Sequence, residues 1–236
     1  MVRDAAPVPI TVKIRLGWND ETRNFREVAQ AAVDAGASAV FVHGRTRNAR
    51  YRNAAEWDAI GELASTLPVP VVGNGDILFP RDVEAALARS GCAGVMAARG
   101  ALIRPWIFRD MVEGYRDVTD GERLALYRRY TELALEHWRD DERGRVNVRE
   151  FVAWHLGFWC RHSNRRTDGT WPAMQEREPR REFGSPLEAL LARQDEAAHA
   201  WIAERLVARE EIDPVAAPAP VEGRPSEDGE ALLAAG

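Results

Sequence analysis

Residues 8–16, VPITVKIRL, alternate in hydrophobicity and are rich in β-branched side chains, the period of a strand. Residues 22–35 then place Phe25, Val28, Ala29, Ala32 and Val33 at helical spacing, and Gly36 follows as a stop. The exchange recurs. A strand over 38–42 leads to a helix over 54–67, with Trp57, Ile60, Leu63 and Ala64 on one face. A strand over 70–73 leads to a helix over 80–89 that Gly91 ends, and a strand over 93–97 precedes a helix opened by Pro105. Strands alternating with helices at this spacing predict parallel strands joined by right-handed crossovers. Four such βα units make about half of a (β/α)8 barrel. The predicted fold class is therefore α/β of TIM-barrel type, with an open doubly wound sheet as the competing architecture.

From about residue 119 the strand period stops. Residues 121–139 and 146–162 read as helices rich in aromatics and arginine. Ser185-Pro186-Leu187-Glu188 has the serine cap, first-turn proline and third-position glutamate of a helix start, and 195–209 read as a last helix. The tail is Ala, Pro, Gly and Glu with few large apolar residues, a composition that predicts disorder. The expected division is a half-barrel over 1–116, an all-α domain over 117–209 and a disordered tail over 210–236.

Composition adds bounds. The chain has 236 residues, is 45% hydrophobic and carries a net charge of −5. That balance fits an ordinary cytoplasmic protein and announces no nucleic-acid binder, although local patches outweigh sums. No apolar run reaches the roughly 20 residues a membrane span needs, so no membrane partner is expected. The two cysteines, Cys92 and Cys160, lie far apart with neither metal-ligand nor CxxC spacing, so no metal site and no disulfide framework are expected. Lys13 is the sole lysine in a chain that otherwise uses arginine, which marks it as a place where a compact ammonium matters.

In barrels, chemistry collects where strands end. Here the strand ends read Lys13-Ile14-Arg15, His43-Gly44-Arg45-Thr46, Asn74-Gly75-Asp76 and Ala98-Arg99-Gly100. One polar strand end is unremarkable; successive ones on the same rim predict a lined pocket. The residue types suit an anionic, aromatic ligand. Asn74-Gly75-Asp76 offers a tight turn, Arg99-Gly100 offers a guanidinium and main-chain N–H groups for phosphate, and Lys13 and His43 can reach across the mouth.

VKIRLGW, VHGRTR, PVVGNGDI and ARGALIRPWIF, in this order and spacing, resemble the tRNA-dihydrouridine synthases. The likeness is close over about 5–115 and looser through REFVAWHLGFW at 149–159. It implies an FMN-binding barrel followed by a helical domain that helps hold tRNA, with NADPH as the reductant of the flavin. It implies that Lys13 and His43 contact the flavin ring and ribityl region. Asn74, Gly75, Asp76, Ala98 and Arg99 would hold ribityl and phosphate. Ala98 stands where the family motif usually has glycine. Arg45 would face the RNA or the flavin edge, and Arg161, Arg165 and Arg166 form a basic cluster that would contact tRNA phosphates.

The family's acid is a cysteine in an Asn-x-x-Cys-Pro context, and no such segment occurs here. Cys92 sits at a helix-to-strand turn, on the face of a barrel opposite its active site, and Cys160 sits on an aromatic helix. The expectation is therefore the second half of a synthase barrel, from its fifth strand onward, with little turnover alone and with self-association through open sheet edges. Two alternatives stay open at this point: a non-catalytic FMN- or tRNA-binding remnant, and an aldolase or isomerase barrel using Lys13 as a Schiff-base nucleophile.

Overall fold

The structure, a computed structural model, describes residues 8–51, 53–176 and 182–220. Residues Thr11–Arg15 (β1), Ala39–His43 (β2), Val71–Asn74 (β3) and Gly94–Met96 (β4) form one parallel sheet in the order β1-β2-β3-β4. Helices Phe25–Asp34 (α1), Trp57–Thr66 (α2) and Pro80–Ser90 (α3) connect successive strands, and the short Arg99–Ile103 (α4) and Ile107–Glu113 (α5) follow β4. A doubly wound sheet reverses its strand order at a switch point. This order never reverses, which is how neighbouring strands of a barrel run.

In a parallel ladder, register partners point to the same face. One face carries Val40, Val42 and Val71, all at most 2% exposed, packed with Phe25, Ala29, Ile60, Leu63 and Ala86. Gly73 belongs to that face because Trp57 lies against it: a Cβ there would sit 2.2 Å from the indole. The other face carries Lys13, Phe41, Val72 and Gly94 in one row, and Arg15, His43, Asn74 and Met96 in the next. Helices therefore cover one side of the sheet, and the polar strand ends stand on the other.

Glycine stops act as the sequence predicts. At Gly36, with φ 92°, Gly36 N–H donates to Val33 O at 2.8 Å and Ala37 N–H to Ala32 O at 2.9 Å, closing α1. Gly91 closes α3 in the left-handed conformation.

The described residues divide into two compact units, one within 8–115 with 173–176 and the other within 116–172 with 182–220. Within the second, Asp120–Trp138 (α6) and Glu142–Trp159 (α7) pack with Glu196–Ala208 (α9), and Pro186–Leu191 (α8) packs on α6. Its core holds Tyr127, Leu135, Val152, Leu156, Trp159, Ile202 and Leu206, each at most 3% exposed. Thr119 and Glu122 form a capping box at α6, and Ser185 caps α8 by accepting from Glu188 N–H at 2.9 Å.

Some expectations are corrected. Helix α7 starts at Glu142, four residues before the apolar period suggests, because Asp141 caps it by accepting from Gly144 N–H at 2.8 Å. Pro105 lies in a turn before α5, and the unexpected α4 opens at Arg99. Disorder from 210 does not hold over 210–220. Ile212 is 6% exposed, and a 3-10 turn at Pro214–Ala216 is capped by Asp213, which accepts from Val215 N–H at 3.0 Å. The rest of the predicted tail, 221–236, lies outside the described residues.

Candidate active site at the strand ends

β3 supplies the centre of the site. Asn74 Nδ2 donates to Met96 O on β4 at 2.8 Å, and its Oδ1 accepts from Lys13 Nζ on β1 at 3.4 Å. One amide thus ties three strands, and Lys13 keeps further N–H groups for a ligand. Partial burial, and then the Arg15 guanidinium, lower the Lys13 pKa from its ordinary value.

His43 stands beside Asn74 in the same row and is 5% exposed. Burial first, and then the charges of Arg15, Lys13, Arg45 and Arg99, push its pKa down to about 3. At neutral pH it is an uncharged imidazole. Arg45 Nη1 faces its Nε2 at 3.5 Å, and a guanidinium can only donate, so the proton is assigned to Nδ1.

Arg45 is 2% exposed. Its Nη2 donates to both Asp76 oxygens, at 2.7 and 2.6 Å, and its Nε to Asn53 O at 2.7 Å. Asp76 Oδ2 also accepts from Ala55 N–H at 2.8 Å. Arg45 thus braces the loop between β2 and α2 against the turn after β3. The Asp76 carboxylate is spent on the same brace. The turn itself needs Gly75, whose φ is 142° and whose added Cβ would lie 2.4 Å from the Ala55 methyl. Asp76 follows in the left-handed region at φ 55°.

Ala98 precedes α4, which Arg99 opens. The Arg99 guanidinium carbon lies 3.4 Å from the Tyr51 ring centroid, a close cation–π stack. Tyr51 also stands 6.2 Å from the His43 ring. Gly100 lets α4 press on the turn after β3: a Cβ there would lie 1.8 Å from Ile77 O. Tyr51 is the residue that sequence reasoning missed. Tyr51 lies in a loop with no period, and only the cations that the fold gathers around it mark it.

Lys13, His43, Asn74, Gly75, Asp76, Ala98 and Arg99 all lie on one end of one sheet. A comparison with known families decides what kind of sheet end this is: the dihydrouridine synthase (Dus) family profile matches residues 1–160. The chain belongs to the dihydrouridine synthase family.

Related family members include a mouse (Mus musculus) tRNA-dihydrouridine(47) synthase-like protein whose name specifies NAD(P)(+). It is 38% identical over 163 residues, covering 68% of this chain and 25% of the relative. The human (Homo sapiens) counterpart is 39% identical over 157 residues, 66% of this chain and 24% of its own length. A tRNA-dihydrouridine(47) synthase of Malassezia globosa is 33% identical over 217 residues, 83% of this chain and 28% of its own. The chain thus spans about a quarter of the length of these relatives. Membership of the Dus family sets aside the Schiff-base reading of Lys13.

Of the remaining candidates, Cys92 lies in the first unit and Cys160, Arg161, Arg165 and Arg166 in the second. Cys92 precedes β4, at the far end of the strand from Met96, is 6% exposed, and its thiol donates to Gly94 O at 3.1 Å. Cys160, also 6% exposed, closes α7 in the helical unit, and burial pushes its thiol up to about 11. Neither presents an accessible acid. Arg165 and Arg166 fold onto the turn that follows α7. Arg165 Nε donates to Gly169 O at 3.0 Å and its guanidinium lies 5.3 Å from the Trp171 ring; Arg166 Nη1 donates to Thr170 Oγ1 at 3.2 Å. Arg161 lies one residue past Cys160 in that segment, half-buried. His155, one of two histidines seven apart near the end of α7, faces Tyr127 Oη at 3.2 Å, while the other, His162, is 2% exposed. Among the described residues no group of His, Cys, Asp and Glu could hold a metal ion, and no helix is long and apolar enough to cross a membrane.

Proposed function

We propose that these strand ends hold FMN and face a uridine of tRNA, as part of the FMN-dependent, NADPH-linked reduction of uridine to dihydrouridine. The observation that carries this reading is the gathering of Lys13, Arg15 and Arg99 around an uncharged His43 on one rim. These groups fit FMN: cationic donors for a phosphate and for an electron-rich ring, with a neutral donor between them and the Asn74 amide beside it. FMN, when bound, supplies the hydride that reduces the uracil double bond.

The protein's residues bind and orient. Lys13 offers its ammonium to developing negative charge at the ring. His43, uncharged at neutral pH, would offer its Nδ1–H to the ligand as a neutral donor. Arg99, stacked on Tyr51, and the main chain around Ala98 would hold the phosphate. The Arg45–Asp76 pair keeps the two loops in place. The proton that reaches uracil C5 does not come from Cys92 or Cys160, both of which are buried.

That last observation favours a second reading for this chain: binding of FMN and tRNA without turnover, the acid being supplied from elsewhere. One experiment separates the two. FMN is titrated into the chain, and unmodified tRNA is then incubated with NADPH and assayed for dihydrouridine, first at position 47, the position in the relatives' names. Absence of FMN binding sinks the proposal. Binding without dihydrouridine selects the second reading.

A further inference from the structure

We propose that Trp18 and Arg47 form a stacking platform for an unpaired nucleotide of the RNA substrate, at the outer rim of the site. The inference rests on the tRNA reading above and adds a surface that the strand ends alone do not include.

Past the last residues of β1 and β2 the two chains stay zipped. Leu16 N–H donates to Arg45 O at 3.1 Å, Arg47 N–H to Gly17 O at 2.9 Å and Asn48 N–H to Trp18 O at 2.9 Å. Arg15 Nη1 donates to Thr46 O at 3.3 Å. Main-chain hydrogen bonds thus join the two loops beyond the strands. Behind Trp18 the loop is closed by Asn19 Oδ1, which accepts from Glu21 N–H at 3.1 Å and Thr22 N–H at 2.8 Å. Gly17 makes the bend at φ 152°, where a Cβ would lie 2.5 Å from Thr22 O. The backbone of Trp18 is therefore held in place, yet the residue is 63% exposed.

A fixed backbone under an exposed indole is a presentation of the ring rather than a failure to bury it. The Arg47 guanidinium carbon lies 5.9 Å from that ring, so a flat aromatic and a flat cation stand together. Unstacked bases take such surfaces: they stack on aromatic and arginine planes while the backbone follows positive charge. Positive charge stands beside the platform in Arg15, which donates to Thr46 O next to Arg47. Of the nearby carboxylates, Asp20 and Glu56 are engaged by Arg23, and Glu21 is exposed in the same loop. A single indole beside a guanidinium offers little apolar area to a protein partner, and so the nucleotide is favoured.

The test titrates an unmodified full-length tRNA transcript, and FMN in parallel, into the full chain and into Trp18→Ala, Trp18→Phe and Arg47→Gln. Trp18→Ala is expected to weaken tRNA binding about tenfold, within the range for losing one base–aromatic stack, and to leave FMN affinity unchanged. Trp18→Phe should retain most of the affinity, and Arg47→Gln should lower the salt dependence of binding by about one counterion. Unchanged tRNA affinity in Trp18→Ala overturns the inference while leaving the tRNA reading standing. A Trp18→Ala chain that changes its sedimentation mass and not its tRNA affinity assigns the indole to a protein interface and overturns it too. FMN binding without any tRNA binding by the wild-type chain overturns the tRNA reading, and the platform with it.

Discussion

Arg45 is a charge taken out of water and held by one carboxylate. Its side chain is 1% exposed and that of Asp76 is 16% exposed. Removing one partner of a buried pair costs about 3–5 kcal/mol, because the other charge stays buried. Asp76→Ala is therefore expected to lose about 3 kcal/mol in urea denaturation, the lower end because Asp76 keeps some solvent contact. A near-neutral result would show that Asn53 O suffices. His43 presents the opposite case, a group kept uncharged. Its pKa falls from 6.5 to about 3 on folding, so between those values the unfolded chain binds the extra proton. The His43 contribution to stability is present above about pH 6.5 and is lost as pH falls toward 3. His43→Gln should remove up to one proton from the pH dependence of unfolding in that window; identical slopes in the two proteins would refute the burial account. Tyr51 acts through Arg99. A stack worth about 1 kcal/mol translates to roughly a fivefold loss of FMN affinity in Tyr51→Ala, with Tyr51→Phe close to wild type. Equal affinity in all three would show the stack to be idle.

At the scale of elements, the site depends on how closely loops approach each other. Gly100 lies where a methyl would meet Ile77 O at 1.8 Å. Since the clash is with backbone, Gly100→Ala must move α4 or the turn after β3, and a stability loss of about 3 kcal/mol is expected, at the upper end for overpacking. Retained stability with lost FMN binding would place the whole strain in the site. The elements themselves were legible in the sequence wherever one face is apolar. Phe25 and Ala29 in α1, and Ile60 and Leu63 in α2, repeat at helical spacing because they meet the sheet. The start of α7 was not legible, because Asp141 caps it ahead of the first buried apolar residue, Val148. Nor was the pairing of Arg45 with Asp76, which are 31 residues apart and meet only when β2 and β3 lie side by side. The polar strand ends were legible as a set because barrel geometry aligns them. Which of them face a ligand and which brace a loop depends on side-chain partners that no period records.

At the scale of the molecule, the helix-free face of the sheet sets the behaviour of the chain by itself. Phe41, Val72 and Met96 on that face are only half-buried, and among the described residues the sheet ends at β1 and β4. The isolated chain is expected to self-associate, and Val72→Lys should shift sedimentation toward the monomer while circular dichroism is retained. A monomer at all concentrations would contradict this. The unreversed strand order has a consequence for biosynthesis. Each strand docks only on the one made just before it, as Ala39 does on Thr11 and Val71 on Val40. Among the described residues no strand of this sheet pairs with one that is not its neighbour in sequence, so these four strands can add on the ribosome one βα unit at a time. The rim that gathers His43 and Asn74 is then assembled in the same order as the message is read.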